Sequence, residues 1–188
     1  MESLNKVLNY FDYNSKVILT FFFICLLFRI LDKLFHVNNI MSAKRGHILN
    51  PFTYIRFITR IFVHKDWIHF SNNFFYILLI GPMIEEKYGS LNLIYMILIT
   101  AFASSLIQVI FERSESVGCS DIVYMMIVLC SFVSITTGKI PITFVIIFFK
   151  FIADEVILTI HHKKNDNVGH ISHVIGAICG FVFAYFVF

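Results

Sequence analysis

Residues 168–188 read VGHISHVIGAICGFVFAYFVF, and two patterns are superimposed in them. One is length: a helix rising about 1.5 Å per residue needs about 20 apolar residues to cross a hydrocarbon layer about 30 Å thick, and this stretch has them. The other is a set of residues that a bare anchor does not need. His170 and His173 stand one helical turn apart, and Gly176 and Gly180 follow four residues apart. An ionisable side chain inside a bilayer is costly unless it faces protein or a water-filled cavity. Glycines at that spacing let a second helix come close.

Working outward, apolar stretches of comparable length recur at Val17–Phe35, Ile68–Ile84, Ser90–Phe111, Gly118–Thr136 and Ile140–Ile160. Of the 188 residues 58% are hydrophobic and 14% charged, with 23 phenylalanines; a soluble domain has about 45–50% apolar and about 25% charged residues. The mean hydropathy is +0.79. These figures predict an all-α fold, a polytopic membrane protein of six transmembrane helices forming one domain over 1–188. A net charge of +3 without a basic run or low-complexity tail argues against nucleic acid as a partner. Cys25, Cys119, Cys130 and Cys179 all lie in apolar stretches without a CxxC pair, so neither a disulfide framework nor a zinc ribbon is expected. No metal or cofactor is expected either. Val17–Phe28 has the core of a signal peptide but no small-residue cleavage site after it, so it reads as a retained first span.

Most connections are short, Glu85–Gly89 among them. The exception runs from about His36 to Trp67 and contains Pro51 followed by TYIRFITRIF. Aromatic and aliphatic residues alternate there with Arg56 and Arg60, the pattern of an amphipathic helix in the headgroup layer with arginines snorkelling outward. Charges inside the spans are unusual: Asp121 near the start of the fourth, Lys150, Asp154 and Glu155 in the fifth. Lys150 and Asp154 can pair along one helix face.

Chemistry is carried by three spans. Ser120 follows Gly118 just inside the fourth; His173 stands in the sixth; His69 and Asn73 share one face of the second. Serine becomes a useful nucleophile when an imidazole accepts its proton, and acyl transfer also needs donors for the developing oxyanion. Gly176 and Gly180, on the face of His173, supply the close approach that a serine and a histidine on different helices require. Each element alone has an ordinary packing reading; the combination across three spans is what is specific.

In these motifs the sequence resembles the rhomboid family of intramembrane serine proteases. HFSNN, with His69 and Asn73, is similar to the family's HxxxN; GPMIEEKYGS, with Glu85 and Gly89, to its turn between spans two and three. GCSD, with Gly118 and Ser120, resembles GxSG, and HVIGAICG resembles HxxGxxxG. Tyr124 matches an aromatic that stacks on the catalytic histidine. The resemblance implies a Ser120–His173 dyad and an oxyanion hole from His69, Asn73 and the Ser120 N–H. It further implies substrates that are single-span membrane proteins, a water-filled cavity open to the outer side, a sideways-lying first connection and a fifth span acting as gate.

Two features depart from that pattern. Asp121 stands where the family has glycine, and a carboxylate beside the nucleophile is expected to face the water cavity or pair with a cation such as Lys150, opposing the oxyanion either way. A cytoplasmic N-terminus puts Lys6, Lys16, Lys87 and Lys139 inside and the more numerous cations of the first connection outside, against the positive-inside bias. The rival readings are a catalytically weak or inactive rhomboid-like protein that binds and escorts transmembrane clients, and a small transporter favoured only by the charges of the fifth span. A metalloprotease is disfavoured by the lack of HExxH.

Overall fold

A computed structural model describes residues 13–47, 49–111, 115–133 and 170–186, with a few isolated positions between 142 and 153. The fifth span expected at 140–160, including Lys150, Asp154 and Glu155, otherwise lies outside the described residues. In chain order the helices are α1 (Lys16–Phe35), α2 (Val37–Met41), α3 (Pro51–Thr59), a 3-10 turn (Arg60–Phe62), α4 (Trp67–Tyr88), α5 (Ser90–Phe111), α6 (Ser120–Val133) and α7 (His170–Phe186). The described residues form helices and connections, with one isolated antiparallel bridge between Ala43 and Ser116.

Several helix boundaries have a local cause. Asp66 caps α4 by accepting the His69 N–H at 2.7 Å, and Asn50 caps α3 by accepting from Phe52, with Pro51 at the first helical position. Gly89 ends α4 at φ +81°, a conformation that glycine adopts freely. The sequence expectation ended this span near Ile84 and put Glu85 in the following turn. The helix instead continues through Glu85 to Tyr88, because Glu85 has a task inside the protein. Buried at 6% exposure, it accepts the Val17 N–H and the Ser15 and Ser90 hydroxyls at 3.1, 2.5 and 2.6 Å. A carboxylate from α4 thereby satisfies the orphan donors and the positive dipole end of α1. Pro82 lies within α4 and cannot bond the Leu78 carbonyl one turn back. The Tyr13 hydroxyl donates to that oxygen at 2.9 Å instead.

The polarity of the surface is inverted relative to a soluble bundle. Phe23, Leu27, Ile30 and Leu34 on α1, Tyr95, Ile99, Leu106 and Ile110 on α5, and Val174, Ile178, Phe181 and Tyr185 on α7 are all exposed. Their spacing of three, four or seven makes apolar outer stripes. The inner face of α5 carries Thr100, Ser104, Ser105 and Gln108, all 0–2% exposed, beside Leu93, Met96, Ile97 and Ala101. Such an arrangement suits a lipid solvent. Ser90–Phe111 is long and apolar enough to cross a membrane; Ser120–Val133 and Ile171–Phe186 are shorter apolar helices.

At the centre, α4 packs on α1, with Phe74 against Phe21 and Phe22, Phe70 against Phe22, and Gly81 under Ile18. On its other side stands α6, whose largest interface is with α7. That interface is set by two glycines. A β-carbon on Gly176 would overlap the main-chain oxygen of Asp121, and one on Gly180 would lie 2.7 Å from the Met125 oxygen and 2.8 Å from Val128 Cβ. The contact steps four residues along both helices at once, so the backbones touch over a full turn. A larger residue improves helix propensity by up to about 1 kcal/mol, but a main-chain oxygen cannot rotate aside as a side chain does. Gly180→Val is therefore expected to cost about 1–3 kcal/mol and to lower the thermal midpoint in detergent, with Gly180→Ala intermediate. An unchanged midpoint in Gly180→Val would remove the close contact from the account.

Candidate active site

Gly118 adopts φ +99°, which turns the chain sharply into the first turn of α6 and leaves Ser120 as its first residue. The approach to this corner is clamped: Ala43 and Ser116 exchange main-chain hydrogen bonds at 3.0 and 2.9 Å, and Lys44 pairs with Glu115 at 3.6 Å. The long first connection thus holds the strand of chain that delivers the serine.

Ser120 Oγ lies 3.0 Å from His173 Nε2, across the α6–α7 contact. An imidazole unprotonated at Nε2 accepts the hydroxyl proton at that distance. The histidine of α7 that makes this contact is His173. Tyr124, one turn after Ser120, stacks on the His173 ring with centroids 4.2 Å apart and planes at 15°. The stack and the hydrogen bond together fix the imidazole in two directions.

The α4 residues arrive from the other side. His69 covers Gly118 so closely that a β-carbon there would lie 2.9 Å from Nε2. Asn73, one turn further, is 6% exposed, and its Nδ2 has no hydrogen-bond acceptor among the described residues. A buried amide donor left without an acceptor costs about 1–3 kcal/mol. An unpartnered buried donor of this kind can hydrogen-bond a bound acceptor.

Asp121 departs from its expected setting. It is fully buried rather than facing a cavity, and it pairs with Arg60, a cation of the first connection; Lys150 lies outside the described residues. Arg60, expected to snorkel outward, is itself only 2% exposed. Its guanidinium meets the carboxylate through both terminal nitrogens, at 2.6 and 3.4 Å, and also donates to Ser104 at 2.6 Å, Ser105 at 2.5 Å and the Gly118 carbonyl at 2.8 Å. Ser104 donates in turn to Asp121. The cause lies in α5: its inner face offers hydroxyls at Ser104 and Ser105, so the arginine finds partners inward. The pair is neutral as a unit, which removes the uncompensated charge expected beside Ser120. Arg56 donates to the Ile40 carbonyl at 2.9 Å, as a half-buried residue should.

His64 is a residue that sequence reasoning missed. It is fully buried behind His69, packed against Phe70 and Phe74, with Nε2 3.3 Å from Cys119 Sγ. Burial lowers its pKa to about 3, and the neighbouring His69 and Arg29 add to the shift, so the ring is neutral at any working pH. A neutral ring can pack on His69 without charge repulsion. The only signal for it was a histidine two residues before the Asp66 cap, following the apolar Ile61–Val63.

Breaking a buried ion pair by removing one partner costs about 3–5 kcal/mol. Asp121→Gly and Asp121→Asn should each lose stability of that order in mixed-micelle unfolding. Neither should raise turnover. A more active Asp121→Gly protein of unchanged stability would restore the expectation drawn from sequence.

A family model of the rhomboid domain matches residues 51–188. The chain is also similar to Rhomboid-like protein 11, chloroplastic, of Arabidopsis thaliana, at 27% identity over 164 residues, covering 80% of this chain and 58% of that protein. It thus spans less than two thirds of that relative's length. The family match includes the first connection from Pro51 onward, the α4 pair His69 and Asn73, the serine corner and α7. With most of the chain under one domain description and the motif residues gathered at one corner, the chain belongs to the rhomboid family.

Proposed function

We propose that the protein is an intramembrane serine protease that cleaves single-span membrane proteins in or near their transmembrane segment. The observation that carries this reading is the 3.0 Å contact between Ser120 Oγ and His173 Nε2, made by residues of two different helices. Ser120 Oγ attacks the scissile carbonyl carbon as its proton passes to His173 Nε2. The tetrahedral oxyanion takes hydrogen bonds from Asn73 Nδ2, His69 and the Ser120 N–H. As the C–N bond breaks, the imidazolium returns the proton to the leaving amine. Water, deprotonated by the same imidazole, then attacks the acyl-enzyme and frees the second product.

The architecture that goes with this reading is a single-domain, six-span bundle. Its site opens to the outer side of the cell membrane, and the fifth span admits substrate laterally. The apolar outer stripes of α1, α5 and α7 support a lipid setting. The alternative is a rhomboid-like protein that binds and escorts transmembrane clients without cutting them, favoured by Asp121 at a position where the family has glycine.

Co-expression with a tagged single-span substrate separates the two. Ser120→Ala and His173→Ala are each expected to abolish the cleavage product while the protein still inserts; a product undiminished in either variant refutes the dyad. Asn73→Ala should lower turnover by about 10²–10³ with substrate binding retained, as loss of one oxyanion donor does. Turnover at the wild-type rate would reduce α4 to a packing element.

A further inference from the structure

Arg60 does more than neutralise Asp121. Its main-chain oxygen accepts the Gly118 N–H at 3.1 Å while its guanidinium donates to the Gly118 carbonyl at 2.8 Å. One residue therefore grips Gly118 on both sides. Gly118 has positive φ and no side chain, and its Cα faces the His69 ring, so little else restrains its peptide units.

We propose that Arg60 is a positioning residue for the nucleophile, with Asp121 as its anchor: the guanidinium fixes the plane of the Gly118–Cys119 peptide and through it the Oγ and N–H of Ser120. The proposal rests on the protease reading for its consequence but not for its structural content. A peptide unit is planar, so holding its oxygen sets the direction in which the chain enters Cys119 and Ser120. The guanidinium is suited to this because its planar fork can bind a carboxylate and a carbonyl together in fixed geometry. All five of its N–H groups have acceptors: Nε meets Ser105, one terminal nitrogen meets Gly118 and Asp121, and the other meets Asp121 and Ser104. Ser105 passes the restraint on to α3 by donating to the Phe57 carbonyl at 2.8 Å. The first connection, α5 and the serine corner are thereby locked together through one side chain. Asp121, an odd residue beside a nucleophile, has a purpose here. It holds the cation in the one place from which it can reach Gly118.

The test uses the full chain in lipid. Gly118–Cys119 is the only Gly-Cys step in the sequence, so carbonyl-¹³C glycine with ¹⁵N cysteine yields a single NMR correlation reporting the Gly118 carbonyl. Two variants are compared with wild type. Arg60→Lys keeps a cation beside Asp121 but lacks the fork. Arg60→Leu with Asp121→Gly removes both charges, so no lone charge is left buried if the lysine variant fails to fold. In each folded variant the Gly118 correlation should move upfield or split, and kcat for a single-span substrate should fall about 10–100-fold with KM within about twofold, as misplacement of a reacting group does. An unshifted correlation in the folded variants overturns the proposal. So does a double variant whose correlation moves while kcat stays at the wild-type value, because the pair would then serve charge balance alone. If wild type cleaves no substrate, the protease reading fails, and the correlation alone still decides whether Arg60 holds the peptide.

Discussion

The contact between α6 and α7 at Gly176 is the constraint on which the site depends. Ser120 and His173 stand 53 residues apart in the chain, yet their side chains meet at 3.0 Å. Short side chains can do this only when the two backbones are nearly touching. Gly176 against the Asp121 main chain and Gly180 against Met125 provide that approach over one full turn. Tyr124 then stacks on the imidazole from the same helix that carries the serine, so one interface fixes the position of His173 and its ring plane. Lipid does not drive such packing through the hydrophobic effect, because hydrocarbon tails are as apolar as leucine. Close van der Waals contact and buried hydrogen bonds must supply the specificity.

Buried polar groups supply it in two further places. Glu85 ties the N-terminus of α1 to the end of α4 by accepting from two hydroxyls and the main chain. Arg60 and Asp121 tie the first connection to α5 and the start of α6. Both are expensive groups to place in an apolar setting, and both are surrounded by donors or acceptors that offset the cost. The contrast with Asn73 is informative. Its buried amide nitrogen has no acceptor among the described residues, while the Arg60 guanidinium and the Asp121 carboxylate are bonded to each other and to their neighbours.

Much of this was legible in the sequence, for reasons that differ by element. Ser90–Phe111 emerged with the bounds its hydropathy suggested, because an apolar run in lipid ends where polar residues begin. The close approach at Gly176 and Gly180 followed from their spacing, whereas the Ser120–His173 pair and the place of Tyr124 were what the resemblance to rhomboids implied. Arg60 was not legible. Its alternation with aromatics is the pattern of an interfacial helix, and nothing within that segment tells that Ser104 and Ser105 of α5 face it. For the same reason Asp121 was expected to face a water cavity or to pair with a cation such as Lys150, and its pairing with Arg60 of the connection was not foreseen. Glu85 was put in a turn because a charge after an apolar run usually ends a span; its partners at Ser15, Val17 and Ser90 lie on two other helices. Local pattern shows what each segment does alone, and these three side chains answer to neighbours distant in sequence.

The central claim is that His173 activates Ser120 in a site assembled between α6 and α7. Labelling the purified protein in liposomes with a fluorophosphonate, followed by peptide mapping, tests it most directly, since only an activated serine forms the phosphonyl ester. The account predicts a single adduct on Ser120 in the wild-type protein that is lost in His173→Ala. An adduct that forms equally well without His173, or none at all on folded wild-type protein, would contradict it.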